Sequence, residues 1–323
     1  MKLEVIAESW AYARPFKIAY VTRTELPLVH VRISQDGVTG QGEGVGVSYL
    51  GETQDTMLAD LERARRAVEA GIDREALQEV LPAGGARNAL DCALWDLAAK
   101  QSGKRVFEMT GLPCDPVQSV YTISLDEPAV MAEQAAQGPS SHLKIKLDGD
   151  QPVERVNAVR QARPDAVLIV DANQSWTADI LAEAAPKLAP LGVEMIEQPL
   201  PAGADAALDD YAGPIPLGAD ESCQTVGDLA ALSAGYSVVN VKLDKTGGLT
   251  GALQLAREAK AKGYDLMVGC MAGTSLSMAP AFVIAQMCRY VDIDGPLLMA
   301  RDREPGLVFD NGRVAAPDPA LWG

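Results

Sequence analysis

The sequence has only two histidines, His30 and His142, in 323 residues. Two imidazoles cannot build a histidine-rich zinc site. The five cysteines, Cys92, Cys114, Cys223, Cys270 and Cys288, are scattered and odd in number. They lack metal-type spacing and read as the reduced thiols of a cytoplasmic protein. Basic residues are scarce too: 28 Lys and Arg stand against 44 Asp and Glu, a net charge of −16. A chain this acidic lacks the basic face of a nucleic-acid binder and is repelled by anionic membranes. No uninterrupted apolar stretch is long enough to span a bilayer. The start, "MKLEVIAESWAYARPF", carries Glu4 and Glu8 and no long apolar segment, so no signal peptide is expected. What is plentiful is apolar material, 48% of the residues, enough core for one large domain or two ordinary ones.

The two halves follow different patterns. Residues 1–113 read as α+β. "KLEVIAESWAY" and "LPLVHVRI" are strand-like, "SQDGVTG" is a turn, and helical periodicity covers 53–71 and 86–101. From 117 onward, short apolar runs alternate with helical stretches. The runs are 117–125, 142–147, 166–173, 192–198, 215–222, 237–244, 265–271 and 290–296. Eight strands with seven mostly helical connections predict a parallel sheet closed into a barrel. No helix follows the eighth run. Instead "GLVFDNGRVAA" carries the hairpin signal Asn311-Gly312. The expected architecture is a modified (β/α)7β TIM-type barrel, residues 114–299, with an N-terminal α+β capping domain that the tail 300–323 completes.

Polar residues end the barrel runs where apolar context does not explain them. In "HLKIKLDGD", Lys144 and Lys146 share one strand face. An edge strand with two solvated lysines would explain that pair alone. Asp171, Glu197 and Asp220, however, end three successive strands. Neighbouring strands lie about 4.8 Å apart, so the three acids can converge. Converging anions repel unless a cation joins them, and all-oxygen ligation suits Mg2+ first and Mn2+ second. Strand-end acids also cap helices, but three in series favour the metal. Lys146 on strand two and Lys242 on strand six face each other across an eight-stranded ring, with the acids on the arc between. Lys144, as a second cation, is expected to help Lys146 give up its proton. Two opposed bases across one carbon, beside a metal that holds a carboxylate, suggest racemisation or epimerisation next to that carboxylate.

Taken together, "KIK" (144–146), "DAN" (171–173), "EQPLP" (197–201), "ADES" (219–222), "VKLDKTGG" (241–248), "GCM" (269–271) and "DIDGPLL" (292–298) resemble the enolase superfamily, muconate-lactonizing subgroup. The resemblance spans essentially the whole chain. "KLDKTGG" with "DIDGP" resembles the dipeptide epimerase branch, of L-Ala-D/L-Glu type. It implies Lys146 and Lys242 as the acid/base pair, Lys144 in support and in contact with substrate, and Asp171, Glu197 and Asp220 as Mg2+ ligands. It implies Asp292 and Asp294 as the site for a substrate α-ammonium group. "RPFKIAYVTRTE" (14–25) resembles the stretch that meets the substrate's glutamate side chain, with Arg23 as candidate. "GEGVGVSYLGET" (42–53) resembles a glycine-rich mobile loop. Thr122, Met271 and Thr274 are placed against substrate, and Asn173, Glu221 and Lys245 behind the ligands. The implied activity is a Mg2+-dependent dipeptide epimerase acting on Ala-Glu released from peptidoglycan. N-acylamino acid racemase, o-succinylbenzoate synthase and cycloisomerase remain alternatives, as does a non-catalytic barrel that binds a small acid. Neither nucleic acid nor membrane is expected as a partner, and a homo-oligomer is left open.

Overall fold

Residues 2–45 alternate between wet and buried side chains, the period of two required of a sheet with one solvated face. They form three antiparallel strands, β1 (Lys2–Ile18), β2 (Val21–Gln35) and β3 (Val38–Val45). The computed structural model describes residues 1–323. Helices α1 (Gln54–Glu69), α2 (Arg74–Val80), α3 (Gly85–Ser102) and α4 (Val106–Thr110) follow. Helix α1 starts where the Thr53 hydroxyl accepts the Thr56 N–H (3.2 Å), a side-chain cap for an otherwise orphaned donor. Helix α3 is buried on nearly every side because it lies between the capping sheet and the barrel. Gly40, Gly42 and Gly44 of β3 make that approach possible. A Cβ on any of them would collide with the α3 backbone. The glycine-rich run expected to be a mobile loop is therefore, through Val45, a strand whose glycines admit a helix.

The barrel strands are β5 (Tyr121–Ile123), β6 (His142–Lys146), β7 (Val167–Asp171), β8 (Val193–Glu197), β9 (Leu217–Ala219), β10 (Tyr236–Lys242), β11 (Asp265–Gly269) and β12 (Tyr290–Val291). A short strand, β4 (Val117–Gln118), precedes them. The eight pair in chain order, all parallel. The Val120 N–H donates to the Val291 carbonyl (2.9 Å) and joins the first strand to the last. Helices α5 (Pro128–Gln137), α6 (Pro152–Ala162), α7 (Ala178–Leu188), α8 (Leu243–Thr246), α9 (Leu249–Ala261), α10 (Ser275–Ala285) and α11 (Gly295–Leu298) complete the barrel. Two of the seven expected helical connections are absent. Between β8 and β9, and between β9 and β10, only short 3-10 turns form. Pro201, Gly203, Gly213 and Pro214 break the first of these segments.

The tail hairpin, β13 (Phe309–Asp310) and β14 (Arg313–Val314), turns at Asn311 and Gly312, both at positive φ (48° and 77°). Its partner is β4 at the start of the barrel, not the capping sheet. Other tail residues return to the cap: the Ala300 N–H donates to the Ala11 carbonyl (2.9 Å), Arg303 reaches Glu8 and Glu43, Trp322 Nε1 donates to the Cys92 carbonyl (3.0 Å) and the Gly323 N–H to Asp96 (2.8 Å). No helix is long and apolar enough to cross a membrane.

Strand parity places the site. Side chains at i and i+2 face the same way, so inward residues form layers down the bore. Ile169, Met195, Met267 and Tyr290 lie two residues before Asp171, Glu197, Gly269 and Asp292. With Val120 and Val238 they pack into a separate apolar cluster. This layer fills the bore beneath the charged residues.

Candidate active site

Above the apolar layer the inward positions are almost all charged. β6 contributes Lys144 and Lys146, β7 Asp171, β8 Glu197, and β10 Asn240 and Lys242, all buried. Asp220 and Glu221 follow β9, and Asp292 and Asp294 follow β12. Lys146 pairs in register with Asp171, and Asp171 with Glu197. In the strand order, β6 and β10 stand four places apart, so Lys146 and Lys242 lie on opposite sides of the ring with the three acids on the arc between.

Each acid is drawn onto an ammonium group. Lys146 Nζ donates to Asp171 Oδ2 (2.6 Å), and Lys242 Nζ to Asp220 Oδ2 (2.6 Å). Lys245 Nζ holds Asp220 Oδ1 (2.8 Å) and the carbonyls of Asn240 (2.9 Å) and Cys223 (2.8 Å). Asn240 Nδ2 donates to Glu197 Oε1 (2.7 Å). Lys144 lies among three acids: Glu197 Oε2 at 2.7 Å, Asp292 Oδ2 at 2.8 Å and Asp171 Oδ2 at 3.2 Å. Burial disfavours its charge, yet Asp292, Glu197 and Asp171 hold it well above the ordinary lysine range. Lys144 was expected to act as a free cation beside Lys146. Its charge is instead matched locally by three carboxylates.

The carboxylates divide. Burial would raise Asp171, but Lys146, Lys144 and Lys242 bring it down to about 2. Asp220 goes further down, because Lys242 and Lys245 outweigh its burial. Glu197 is pushed up to about 7 by burial and by its neighbour Asp171. Glu221 reaches about 8 through burial and Asp220, and Asp294 about 8 through burial and Asp292. Six acids (171, 197, 220, 221, 292, 294) meet four ammonium groups (144, 146, 242, 245), so positive charge runs short when all six ionise, and Glu197, Glu221 and Asp294 are pushed upward. Five of the six buried side-chain polar atoms without a hydrogen bond are here: Asn173 Oδ1, Glu197 Oε2, Glu221 Oε2, Asn240 Oδ1 and Asp292 Oδ1. Lys144 approaches Glu197 Oε2 without the alignment of a hydrogen bond. Lys146 engages Asp171 Oδ2, and Lys242 and Lys245 engage both carboxylate oxygens of Asp220. The donor set nonetheless fits a hard divalent cation: three buried carboxylates at the ends of consecutive strands, in a site whose acids outnumber its ammonium groups.

Residues 129–320 match the family described as enolase C-terminal domain-like. Residues 1–111 match the mandelate racemase / muconate lactonizing enzyme N-terminal domain. The chain belongs to the enolase superfamily. It is 44% identical to L-Ala-D/L-Glu epimerase of Escherichia coli, over 97% of this chain and 98% of that one. It is 47% identical to an N-acetyl-D-glutamate racemase of a Pseudoalteromonas species, over 76% of this chain and 79% of that one. A solved enolase family member of Agrobacterium tumefaciens with homology to dipeptide epimerases, with sodium and L-Ala-L-Glu bound, superposes with TM-score 0.97 at 45% identity and 99% coverage of both chains. A dipeptide epimerase of Methylococcus capsulatus complexed with Mg and L-Arg-D-Lys superposes with TM-score 0.91 at 34% identity, over 100% of this chain and 99% of that one.

In this superfamily member the pocket lies between the barrel mouth and the cap. Lys146, Lys242, Asp220, Glu221, Asn173, Asp292, Asp294, Thr122, Cys270 and Met271 line its barrel side. Arg23, Ile18, Tyr20, Val21, Ser48 and Tyr49 line its cap side. Arg23 Nη2 donates to Ser48 Oγ (2.8 Å), and the Thr122 N–H donates to Asp294 Oδ2 (2.6 Å). Two expectations change. Glu221, expected behind the ligands, faces the pocket without an ion-pair partner. Thr274, expected against substrate, is fully buried behind it. Its N–H and hydroxyl donate to Glu43 (2.8 and 2.6 Å), and its own oxygen caps α10 through the Leu276 N–H. The spacing placed Thr274 after β11 without telling which way it turns. Asn240 was missed, although its place two residues before Lys242 in "VVNVKLD" marks it as inward. Tyr20 and Tyr49 carry no comparable signal in the sequence.

Proposed function

We propose that the chain is a Mg2+-dependent dipeptide epimerase, with L-Ala-D/L-Glu as its leading substrate. It inverts the α-carbon of the C-terminal residue by two-base proton transfer. The observation that carries this is the placement of Lys146 and Lys242 on opposite sides of the ring with three buried acids between them. Asp171, Glu197 and Asp220 would hold the ion. When bound, it supplies fixed positive charge against which negative charge developing on the substrate carboxylate is stabilised.

The chain's own groups do the rest. One lysine takes the α-proton from one face and the other returns a proton to the opposite face. Lys144, buried outside the pocket lining, was expected against substrate; it instead holds Glu197, Asp292 and Asp171 in place from behind. Asp292 and Asp294 receive the α-ammonium group, and Arg23 meets the second side chain's carboxylate. Asn173, Met271 and Thr122 shape the walls. The apolar layer below keeps the floor dry, which strengthens each charge interaction above it.

A racemase of N-acylated amino acids is the second candidate, favoured by the 47% identity to N-acetyl-D-glutamate racemase. An acylated nitrogen carries no charge, so it leaves the Asp292–Asp294 pair without a cation. A synthase, a cycloisomerase or a non-catalytic barrel leaves the pair equally idle. The test is proton NMR in D2O with Mg2+. Loss of the Cα–H signal from L-Ala-L-Glu supports the epimerase. Unchanged spectra for dipeptides, with exchange of N-acetylglutamate, favour the racemase. In Asp294→Asn, turnover of free dipeptides should fall while any turnover of acylated substrates survives.

The acidic composition and five unpaired cysteines support a cytoplasmic protein without nucleic-acid or membrane partners, and the proposed Ala-Glu substrate is a peptide of murein turnover. A cap core of its own supports a cap of residues 1–113 beside a barrel of 114–299, with Cys92, Trp95, Ala99, Val106 and Phe107 of the cap packing into the barrel core. The tail 300–323 contacts both.

A further inference from the structure

A second cluster of metal-ligating groups lies on the pocket wall away from the acid arc. Cys270 Sγ and one carboxylate oxygen each from Asp292 and Asp294 lie within 4.8 Å of one another. All three residues line the pocket. Each carboxylate is anchored by one oxygen: Asp292 Oδ2 by Lys144 (2.8 Å) and Asp294 Oδ2 by the Thr122 N–H (2.6 Å). Asp292 Oδ1 has no hydrogen-bond partner, although the residue is only 4% exposed. A buried carboxylate oxygen without a donor is costly unless something positive meets it.

We propose that Cys270, Asp292 and Asp294 form a site for a thiophilic divalent cation of the zinc class, and that this cation excludes the substrate's ammonium group. The thiolate distinguishes the two metal positions. Magnesium takes hard oxygen ligands and favours the acid arc, whereas zinc binds sulfur and oxygen together and accepts three protein ligands with an open fourth position. Burial and the two acids keep the Cys270 thiol protonated. A bound cation reverses that, with the thiol proton leaving to solvent as the sulfur–metal bond forms. Lys144 opposes the ion from behind Asp292, so affinity falls short of a structural zinc site. The exclusion half rests on the ammonium placement given above; the metal site itself does not.

The experiment titrates cadmium, a zinc-class ion with a thiolate charge-transfer band in the ultraviolet, into Mg2+-saturated protein. It uses a Cys114→Ser background, which removes the exposed thiol. The site requires a saturable band that Cys270→Ser abolishes and Asp294→Asn weakens on the order of tenfold or more, the loss typical even of outer-shell partners. Circular dichroism with unchanged melting certifies that both variants fold. No band, or one that persists in Cys270→Ser, overturns the site. Saturating L-Ala-L-Glu should displace the ion, and zinc should raise the KM for the dipeptide without changing kcat. A band that Cys270→Ser abolishes but dipeptide leaves unmoved supports the metal site and overturns its overlap with the ammonium position.

Discussion

Two buried polar networks lie within a few residues of each other, and they are built in opposite ways. At the seam between cap and barrel, Arg303 bridges Glu8 and Glu43, each at 2.8 Å. Thr274 fills the remaining positions on Glu43, and Trp10 Nε1 donates to Glu8 (2.6 Å). Burial works against the charge on Glu8, yet hydrogen bonds from His30, Trp10 and Arg303 bring it down to about 2. The pocket carries excess acid, orphaned oxygens and three carboxyls pushed above neutrality or close to it. A satisfied network fixes the relation between two domains. An unsatisfied one is ready for ligands that bring the missing charge.

The contrast is broken most severely at the lysines. Lys146→Ala or Lys242→Ala should lower interconversion of the two epimers, per folded molecule, by about 10²–10⁴-fold, while Cα–H exchange survives for the epimer whose proton the remaining lysine faces. Retained interconversion of the epimers in either variant removes the two-base assignment. At the seam the order reverses. Arg303→Ala leaves Glu43 buried without its cation and should cost about 3–5 kcal/mol of stability by urea unfolding. The rate per folded molecule should drop far less than in the lysine variants.

Metal sharpens the difference from the other side. Mg2+ at 100 times its dissociation constant should stabilise the protein by about 2.7 kcal/mol. That gain should vanish in Asp220→Asn and persist in Arg303→Ala. Acidity separates the networks further. Glu8 is lowered, so its contribution is present above about pH 4.5 and lost as pH falls through about 2. Outside both networks, Asp244, which accepts from the Val45 N–H (2.9 Å) and Asn88 Nδ2 (2.7 Å), is raised to about 7 by burial. Its contribution is complete below about pH 4 and lost as pH rises through about 7. Asp244→Asn should therefore flatten the decline in melting temperature between pH 5 and 8, by roughly a few degrees. The smallest effect is expected from Thr274→Val. It removes one donor to Glu43 and the hydroxyl that caps α10, costs about 1–2 kcal/mol, and leaves the KM for dipeptide unchanged because Thr274 does not reach the pocket.

The legibility of the two networks differs for a physical reason. The pocket's acids and lysines stand at strand ends, and alternation along a strand reveals which way they point. Lys144, Lys146, Asp171, Glu197 and Lys242 were therefore legible as one inward set. The seam is a meeting of residues far apart in the chain. Glu43 and Arg303 are 260 residues apart, and nothing local to either marks the partner. The same limit hid the Lys144–Asp292 contact, which changes Lys144 from a free cation to a matched one. Gly40, Gly42 and Gly44 were visible, but a glycine that frees a loop looks the same in sequence as one that admits a helix.

The apolar layer formed by Val120, Ile169, Met195, Val238, Met267 and Tyr290 has one more effect. It stoppers the bore, so reactant and inverted product share a single doorway beneath the cap. Nothing can leave by the far end while a new molecule enters. Each turnover ends with the occupant backing out past Tyr20, Arg23 and Tyr49, and a stronger hold there would lengthen its stay without quickening the proton transfers below.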